Sequence, residues 1–391
     1  MSIVIVSGAL ANKLHNGGAA WTRLSWALGL KALGFEVAFV EQIRHDCCVD
    51  DLGHSSTFEE SANLRYFQQV TEQFGLADLA TLICDDGAAH GLTRCELDEL
   101  VRSAVALVNI TGHLTHPRMG GIPHRVYIDL DPGYTQFWHA TGNPGPRLEG
   151  HNYFYTVGEN IGRPHCSIPT AGIRWRPIRQ PVVLHYWPEC APGDPLRFST
   201  IASWRGPYGP ARYAGTTYGL KAHEFRKFIE LPRRVAHKFE LALDIHPADQ
   251  RDLVALRSNG WHVVSPEVVA SGPVAFRQYV QASGAEFSVA QGIYVETESG
   301  WFSDRTVRYL ASGRPALVQD TGFSRNYPLG EGLVAFRTMD EAVTGARQIA
   351  GDYKNHCRAA RAIAERYFDS DRVLGQLVDE VLRHAVFQRH S

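Results

Sequence analysis

The sequence predicts two doubly wound α/β domains that face each other across a cleft. Three observations carry this. The chain of 391 residues is longer than one ordinary hydrophobic core supports, so two domains are expected. Short continuous apolar runs alternate with helix-patterned segments through both halves, as buried parallel strands alternate with covering helices. Glycine-rich loops follow such runs in each half, at the strand ends where open α/β sheets hold ligands.

Ile3 to Val6 is a wholly apolar run and reads as the first buried strand. A polar loop, Ser7 to Gly18, ends in Asn16-Gly17-Gly18. A helix follows from about Ala19 to Leu33, with Trp21, Leu24, Leu28 and Leu30 on its apolar face. Gly34 stops it, and Phe35 to Val40 is the next strand. Helices are expected around 58–75 and 96–105, and strands at Leu107–Ile110, Arg125–Leu130 and Tyr153–Val157. Residues 138–152 read as loop, and 160–197 is proline-rich.

A second series starts at the strand Phe198–Ala202. Leu220–Leu231 reads as helix, Phe239–Ile245 as strand, Asp249–Ser258 as helix and Trp261–Val264 as strand. A helix at Pro273–Ala282 and a strand at Ala285–Ala290 come next. Helices at Met339–Ile349, Tyr353–Tyr367 and Arg372–Arg389 close the chain. The expected division is a first domain over 1–175, a second over 176–370, and a terminal helix, 371–391, folding back on the first.

Composition narrows the function. The net charge of −2 argues against a dedicated nucleic-acid binder, which carries a basic excess. Seven cysteines show no CxxC pair and no zinc spacing, which predicts reduced thiols in a cytoplasmic protein. No apolar run reaches the length of a membrane span. There is no Walker A loop, GxSxG elbow, HExxH or compact GxGxxG after a strand, which speaks against kinase, hydrolase, metalloprotease and dinucleotide dehydrogenase.

Ser299 to Gly322, SGWFSDRTVRYLASGRPALVQDTG, is the most informative stretch. It reads as a glycine turn, a helix capped by Ser303 or Asp304, a stop at Gly313-x-Pro315, a strand, and a second turn, Asp320-Thr321-Gly322. A helix start with a hydroxyl and an arginine suits a phosphate.

This segment, followed by Gly330–Phe336 and by the closing helices Ala360–Leu382, resembles the GT-B superfamily of nucleotide-sugar glycosyltransferases. Gly17-Gly18 after a long first loop fits the same resemblance. It implies a nucleoside-diphosphate-sugar co-substrate, no metal or other cofactor, and a small-molecule or glycan acceptor. Two glutamates typical of many retaining members fall here on Gly300 and Arg308, which are not acidic. Ser299-Gly300-Trp301-Phe302-Ser303 is a partial match to an inverting subgroup, without its histidine. Inversion is therefore slightly favoured.

The resemblance implies donor contacts from Gly17, Gly18, Ser299, Gly300, Trp301, Ser303, Asp304, Arg305, Asp320, Thr321 and Gly322. Trp204, Arg205 and Lys221 flank a glycine-rich loop at another strand end and join that set. Three residues are candidate bases for the acceptor: His15, Asp131 and His113. An imidazole or carboxylate takes a hydroxyl proton near neutral pH. Asp129-Leu130-Asp131, read alone, also resembles a divalent-metal site. Two other function classes stay open: a nucleotide-sugar 2-epimerase, which needs no acceptor, and a noncatalytic binding protein on the same scaffold.

Overall fold

The computed structural model describes residues 2–388. Two parallel sheets organise it. The first contains β1 (Ile3–Ser7), β2 (Glu36–Ile43), β3 (Ala80–Cys84), β4 (Ala89–His90), β5 (Ala104–Ile110), β6 (His124–Asp129), β7 (Tyr153–Thr156) and β8 (Arg176–Pro177). Their spatial order is β4-β3-β2-β1-β5-β6-β7-β8, parallel except where the short β4 pairs antiparallel with β3. The order reverses between β1 and β5, so a crevice opens beyond their carboxyl ends.

The second sheet contains β9 (Arg197–Ser203), β12 (Lys238–Asp244), β13 (Trp261–Val264), β14 (Ala285–Ser288), β15 (Ala316–Gln319) and β16 (Leu333–Phe336). Its order, β13-β12-β9-β14-β15-β16, reverses between β9 and β14. A hairpin, β10 (Ala211–Tyr213) and β11 (Thr216–Tyr218), stands apart.

Several elements differ from expectation. The strand Ala80–Cys84 was not expected; the run ATLIC is short and lies between turns, where length gives little signal. The stretch read as loop from residue 138 begins inside a helix, Tyr134–Ala140, started by Gly133 at φ 95°. The helix expected over Leu220–Leu231 divides into Lys221–Arg226 and Leu231–Arg234, with Pro232 starting the second piece. The hairpin β10–β11 lies in what read as a plain glycine-rich loop. Arg389, the expected end of the last helix, lies outside the described residues.

The first helix, Gly17–Ala32, is buried on nearly every side, as its sequence WTRLSWALGL requires. It packs on β2, on the helix Pro273–Ala282 and on the last helix, Ser370–Gln388. Gly29 permits the last contact: a Cβ there would lie 2.9 Å from the Ser370 Cβ. Glu380 of the last helix accepts hydrogen bonds from Tyr155 (2.8 Å) and Arg176 (2.6 Å) of the first sheet. All seven cysteines are unpaired. Among the described residues no helix is long and apolar enough to cross a membrane.

Asn160, between the two sheets, is 2% exposed. Its Nδ2 donates to the carbonyls of Glu298 (2.9 Å) and Gly322 (3.1 Å), and its Oδ1 accepts from Asn326 Nδ2 (3.2 Å). Asn160→Ala leaves the Glu298 carbonyl without its donor and the Gly322 carbonyl with only the Arg325 N–H, and a loss of about 1–3 kcal/mol is expected. Urea unfolding followed by tryptophan fluorescence measures it. A change within about 0.5 kcal/mol means that the amide contributes no net stability.

Candidate functional site

The two crevices face each other and enclose one cavity of about 1080 Å³. Its first wall comes from loops after β1, β5 and β6, from the first helix and from the loop before β7: Lys13, His15, Gly18, Arg23, His113, Asp131 and Arg147. Its second wall comes from the ends of β9 and β12, from Ser265 to Glu267 after β13, and from Tyr294, Trp301, Asp304 and Arg305.

Two buried carboxylates shape the first wall. Glu41, at the end of β2, accepts from the backbone N–H groups of Leu10 (2.9 Å), Ala11 (2.8 Å) and Asn12 (3.0 Å), and from Asn12 Nδ2 (2.8 Å). Burial raises its pKa and these bonds oppose the shift. It thereby fixes the loop that presents Lys13 and His15. Asp129, at the end of β6, accepts from Thr135 Oγ1 (2.7 Å), Gln136 Nε2 (2.8 Å), Thr156 Oγ1 (2.7 Å) and the Asp131 N–H (3.0 Å). With these bonds Asp129 serves as a scaffold for Asp131.

The three candidate bases line the same cavity. Asp131 is half-buried, and its Oδ1 accepts from Tyr294 Oη across the cleft (3.2 Å). Burial, then the charge of Asp129, push its pKa up to about 6. His113 places Nε2 2.8 Å from the Gln42 carbonyl. That contact fixes Nε2 as the donor and leaves Nδ1 as the acceptor. Burial pushes the His113 pKa down to about 4. His15 is exposed, at φ 56°, with its ring edge on Tyr66. Of the two shifted groups, Asp131 is the stronger base.

Comparison with solved structures finds this architecture over nearly the whole chain. HepE from Anabaena, solved with UDP and glucose, aligns at TM-score 0.60 and 10% identity, covering 98% of this chain and 100% of its own. An α-glucosyltransferase solved with UDP and a 13-mer DNA aligns at 0.56 and 10%, covering 97% and 98%. Sucrose-phosphate synthase from Thermosynechococcus elongatus aligns at 0.54 and 12%, covering 98% and 100%.

The chain has the GT-B fold. No protein-family model and no curated protein matches it in sequence.

Within the GT-B cleft, Gly18, Trp301, Asp304 and Arg305 line the second-half side or its seam. Trp301 stacks on Tyr294, centroids 4.6 Å apart. Arg305 is anchored from below: Nε to Glu286 (2.6 Å), Nη1 to the Ile201 carbonyl (2.7 Å) and Nη2 to Ser288 Oγ (2.7 Å). Three of its five N–H groups are thus used. Burial lowers its pKa, but Glu286 outweighs that and the net shift is upward. Lys221 is half-buried beside this pair, though not on the cavity wall. Burial, then the Arg305 charge, push its pKa down to about 7.

The other expected donor residues do not reach the cavity. Trp204 is in the core, with its Nε1 on Asp252 (2.8 Å). Arg205 pairs with Asp249. Ser303 caps its helix by accepting from the Arg305 N–H (3.2 Å), and Ser299 bonds the Tyr294 carbonyl (3.2 Å). Asp320 accepts from Gly322, Ser324 and Arg337. Thr321 donates to the Trp301 carbonyl (2.6 Å). Gly300 (φ 73°) and Gly322 (φ 89°) are turns closed against Asn160; a Cβ on either would lie 2.8 Å from its side chain. Gly17 is likewise set against protein: its N–H donates to the Ala270 carbonyl (2.8 Å), and a Cβ would lie 2.7 Å from that of Phe276. Asp304 receives Thr22 Oγ1 (2.7 Å) and Arg308 Nη1 (2.7 Å), so a carboxylate already occupies this helix start.

Sequence reasoning missed Arg23, Lys13, Arg147, Glu41 and Tyr294. Arg23 and Glu41 did carry a signal: each is a charge inside an otherwise apolar run. Among the described residues no group of three His, Cys, Asp or Glu is arranged to hold a metal.

The position of Asp131 predicts its ionisation. Tyr294 lowers the Asp131 pKa by its hydrogen bond, so Tyr294→Phe should move the titration upward from about 6. Side-chain carboxyl NMR on wild type, Tyr294→Phe and Asp131→Asn would measure it. An unchanged midpoint in Tyr294→Phe means the hydroxyl does not bond Asp131 in solution.

Proposed function

We propose that this protein is a glycosyltransferase that moves a sugar from a nucleoside diphosphate to an acceptor hydroxyl or amine. One observation carries the reading: a single cavity joins the switch points of two facing sheets, with candidate bases on one wall and an anchored arginine on the other. The solved GT-B structures with UDP or UDP-glucose bound support UDP as the first nucleotide to test. Nucleotide and sugar lie along the ends of β9 and β12, and the acceptor lies against the loops after β1, β5 and β6.

Asp131 is the proposed base. Its carboxylate takes the proton as the acceptor oxygen or nitrogen bonds to the anomeric carbon. The bond from that carbon to the phosphate oxygen breaks, and its electron pair leaves with the nucleoside diphosphate. Arg305 stabilises the departing charge without a divalent ion, with Lys221 behind it off the cavity wall. Attack on the face opposite the leaving group inverts the anomeric centre. Closure of the two walls keeps water from the donor. Unpaired thiols support a reducing compartment such as the cytoplasm.

Calorimetry with UDP, other nucleoside diphosphates and UDP-glucose tests the donor site. UDP is expected to bind, and Arg305→Lys to weaken it about tenfold, since the planar fork is lost. No binding by any nucleotide sinks the reading. With an acceptor found, Asp131→Asn should keep donor affinity and lower kcat about 10²–10⁴-fold. Because the base must be ionised, wild-type kcat/KM should rise with pH through about 6 and level above it. Full activity in Asp131→Asn would overturn the assignment. Turnover of the donor alone to an epimer would identify a 2-epimerase. Binding without any turnover across acceptors would identify a noncatalytic protein. The anomeric configuration of the product, read by proton NMR, decides inversion.

A further inference from the structure

Arg23 has an unusual position for an arginine. It lies in the first helix, is 9% exposed and faces the cavity. Its Nη1 donates to the Ala19 carbonyl one turn back (3.2 Å), and its Nε, also buried, has no partner. Among the described residues it forms no ion pair within 4.0 Å. Thr22, its neighbour, bonds Asp304 instead, and Asp304 is taken by Arg308. Glu41 is taken by the loop it organises. A buried guanidinium left this way is costly unless an anion completes it.

Room is reserved for its stem. Gly8, directly after β1, would place a Cβ 2.9 Å from Arg23 Cγ. Lys13 and Arg147 line the same wall, and neither has an ion-pair partner among the described residues. All three charges act on His113, so they converge on one region of the first wall. Asp304, Glu41 and Asp131 all attract Arg23 from beyond ion-pair range; with Asp304 and Glu41 bonded elsewhere, Asp131 is the carboxylate left facing Arg23 and Lys13.

We infer that Arg23, with Lys13 and Arg147, forms an oxyanion subsite in the first half of the cleft that holds a phosphate or carboxylate group of the acceptor. This rests on the glycosyltransferase reading for the word acceptor; the anion site itself does not. Arg23 supplies a fixed, low-dielectric contact, and the two exposed cations add charge around it. With the anion held there, an acceptor hydroxyl is left within the cavity that Asp131 lines. The acceptor is therefore anionic, such as a sugar phosphate or a uronic acid.

The test uses the full chain and two calorimetric titrations: UDP into free protein, and inorganic phosphate into protein saturated with UDP. Phosphate is expected to bind the UDP-loaded protein, at least tenfold more weakly in Arg23→Gln and severalfold more weakly in Lys13→Gln and Arg147→Gln. The last two positions are exposed, so those variants guard against misfolding of the first. Affinity for UDP should change less than twofold in all three. Equal phosphate binding by wild type and all variants, or none by wild type, overturns the subsite. A tenfold loss of UDP affinity in Arg23→Gln assigns the anion to the donor diphosphate and overturns the acceptor assignment. If UDP fails to bind wild type, the glycosyltransferase reading falls, and phosphate titrated into free protein still decides the subsite by the same comparison.

Discussion

The structure depends on the junction between a buried amide and two left-handed turns. Asn160, carried from the first sheet, reaches the backbone on both sides of the Ser299–Gly322 segment. Gly300 and Gly322 stand there because the positive φ and the close approach of that amide leave no place for a side chain. A two-residue bridge, Gly158 to Trp301, extends the junction. Glu159, beside Asn160, is held by Tyr327 and by Arg179 (3.2 Å). The cleft has its width because this corner is fixed. Asp131 on one wall then meets Tyr294 on the other, and Thr22 meets Asp304.

A second constraint follows from charge in a confined space. The strongly buried carboxylates near the cleft floor are bonded: Glu41 to a loop, Asp129 to three side chains, and Glu286 to Arg305 through Oε1, while its Oε2 has no partner among the described residues. These groups stay inside because their hydrogen bonds replace water. They hold other residues in place, whereas Asp131, the proposed base, is only half-buried. Burial, then like-charge repulsion from Asp129, raise its pKa toward neutrality, which suits the proposed role. His113 is carried too far the other way by burial.

The architecture was legible in the sequence because both its signals are local. Buried parallel strands read as continuous apolar runs, and glycine loops mark their ends. The cleft face of the site was legible only in part. Asp131, His113, His15 and Arg305 lie at strand ends or on the loop and helix that follow them, which doubly wound topology brings to one cavity. Ser299, Gly300, Ser303 and the 320–322 turn were read for ligand contact by the family resemblance and by their chemistry. In the fold that chemistry is spent on capping, on turns and on Asn160, a partner more than a hundred residues away. Sequence spacing carries no trace of such a partner. Trp204 and Arg205 follow the end of β9, but strand alternation turns the tryptophan into the core and Asp249 draws the arginine outward.

The first helix shows how one segment can serve both packing and binding. Its run WTRLSWALGL buries tryptophans on several faces, and a helix so enclosed has little use for a charge. Arg23 is tolerated at one position: beside Gly8, where its stem packs and its largely buried head borders the cavity. Moving it one residue in either direction would put it at Thr22, against Asp304, or at Leu24, in the core. The same geometry that makes the helix a structural centre therefore fixes the direction of the charge. A neutral side chain would pack there at lower cost. On the subsite proposed above, an anion in the cleft offsets that cost, and the fixed position of the arginine sets where the anion lies.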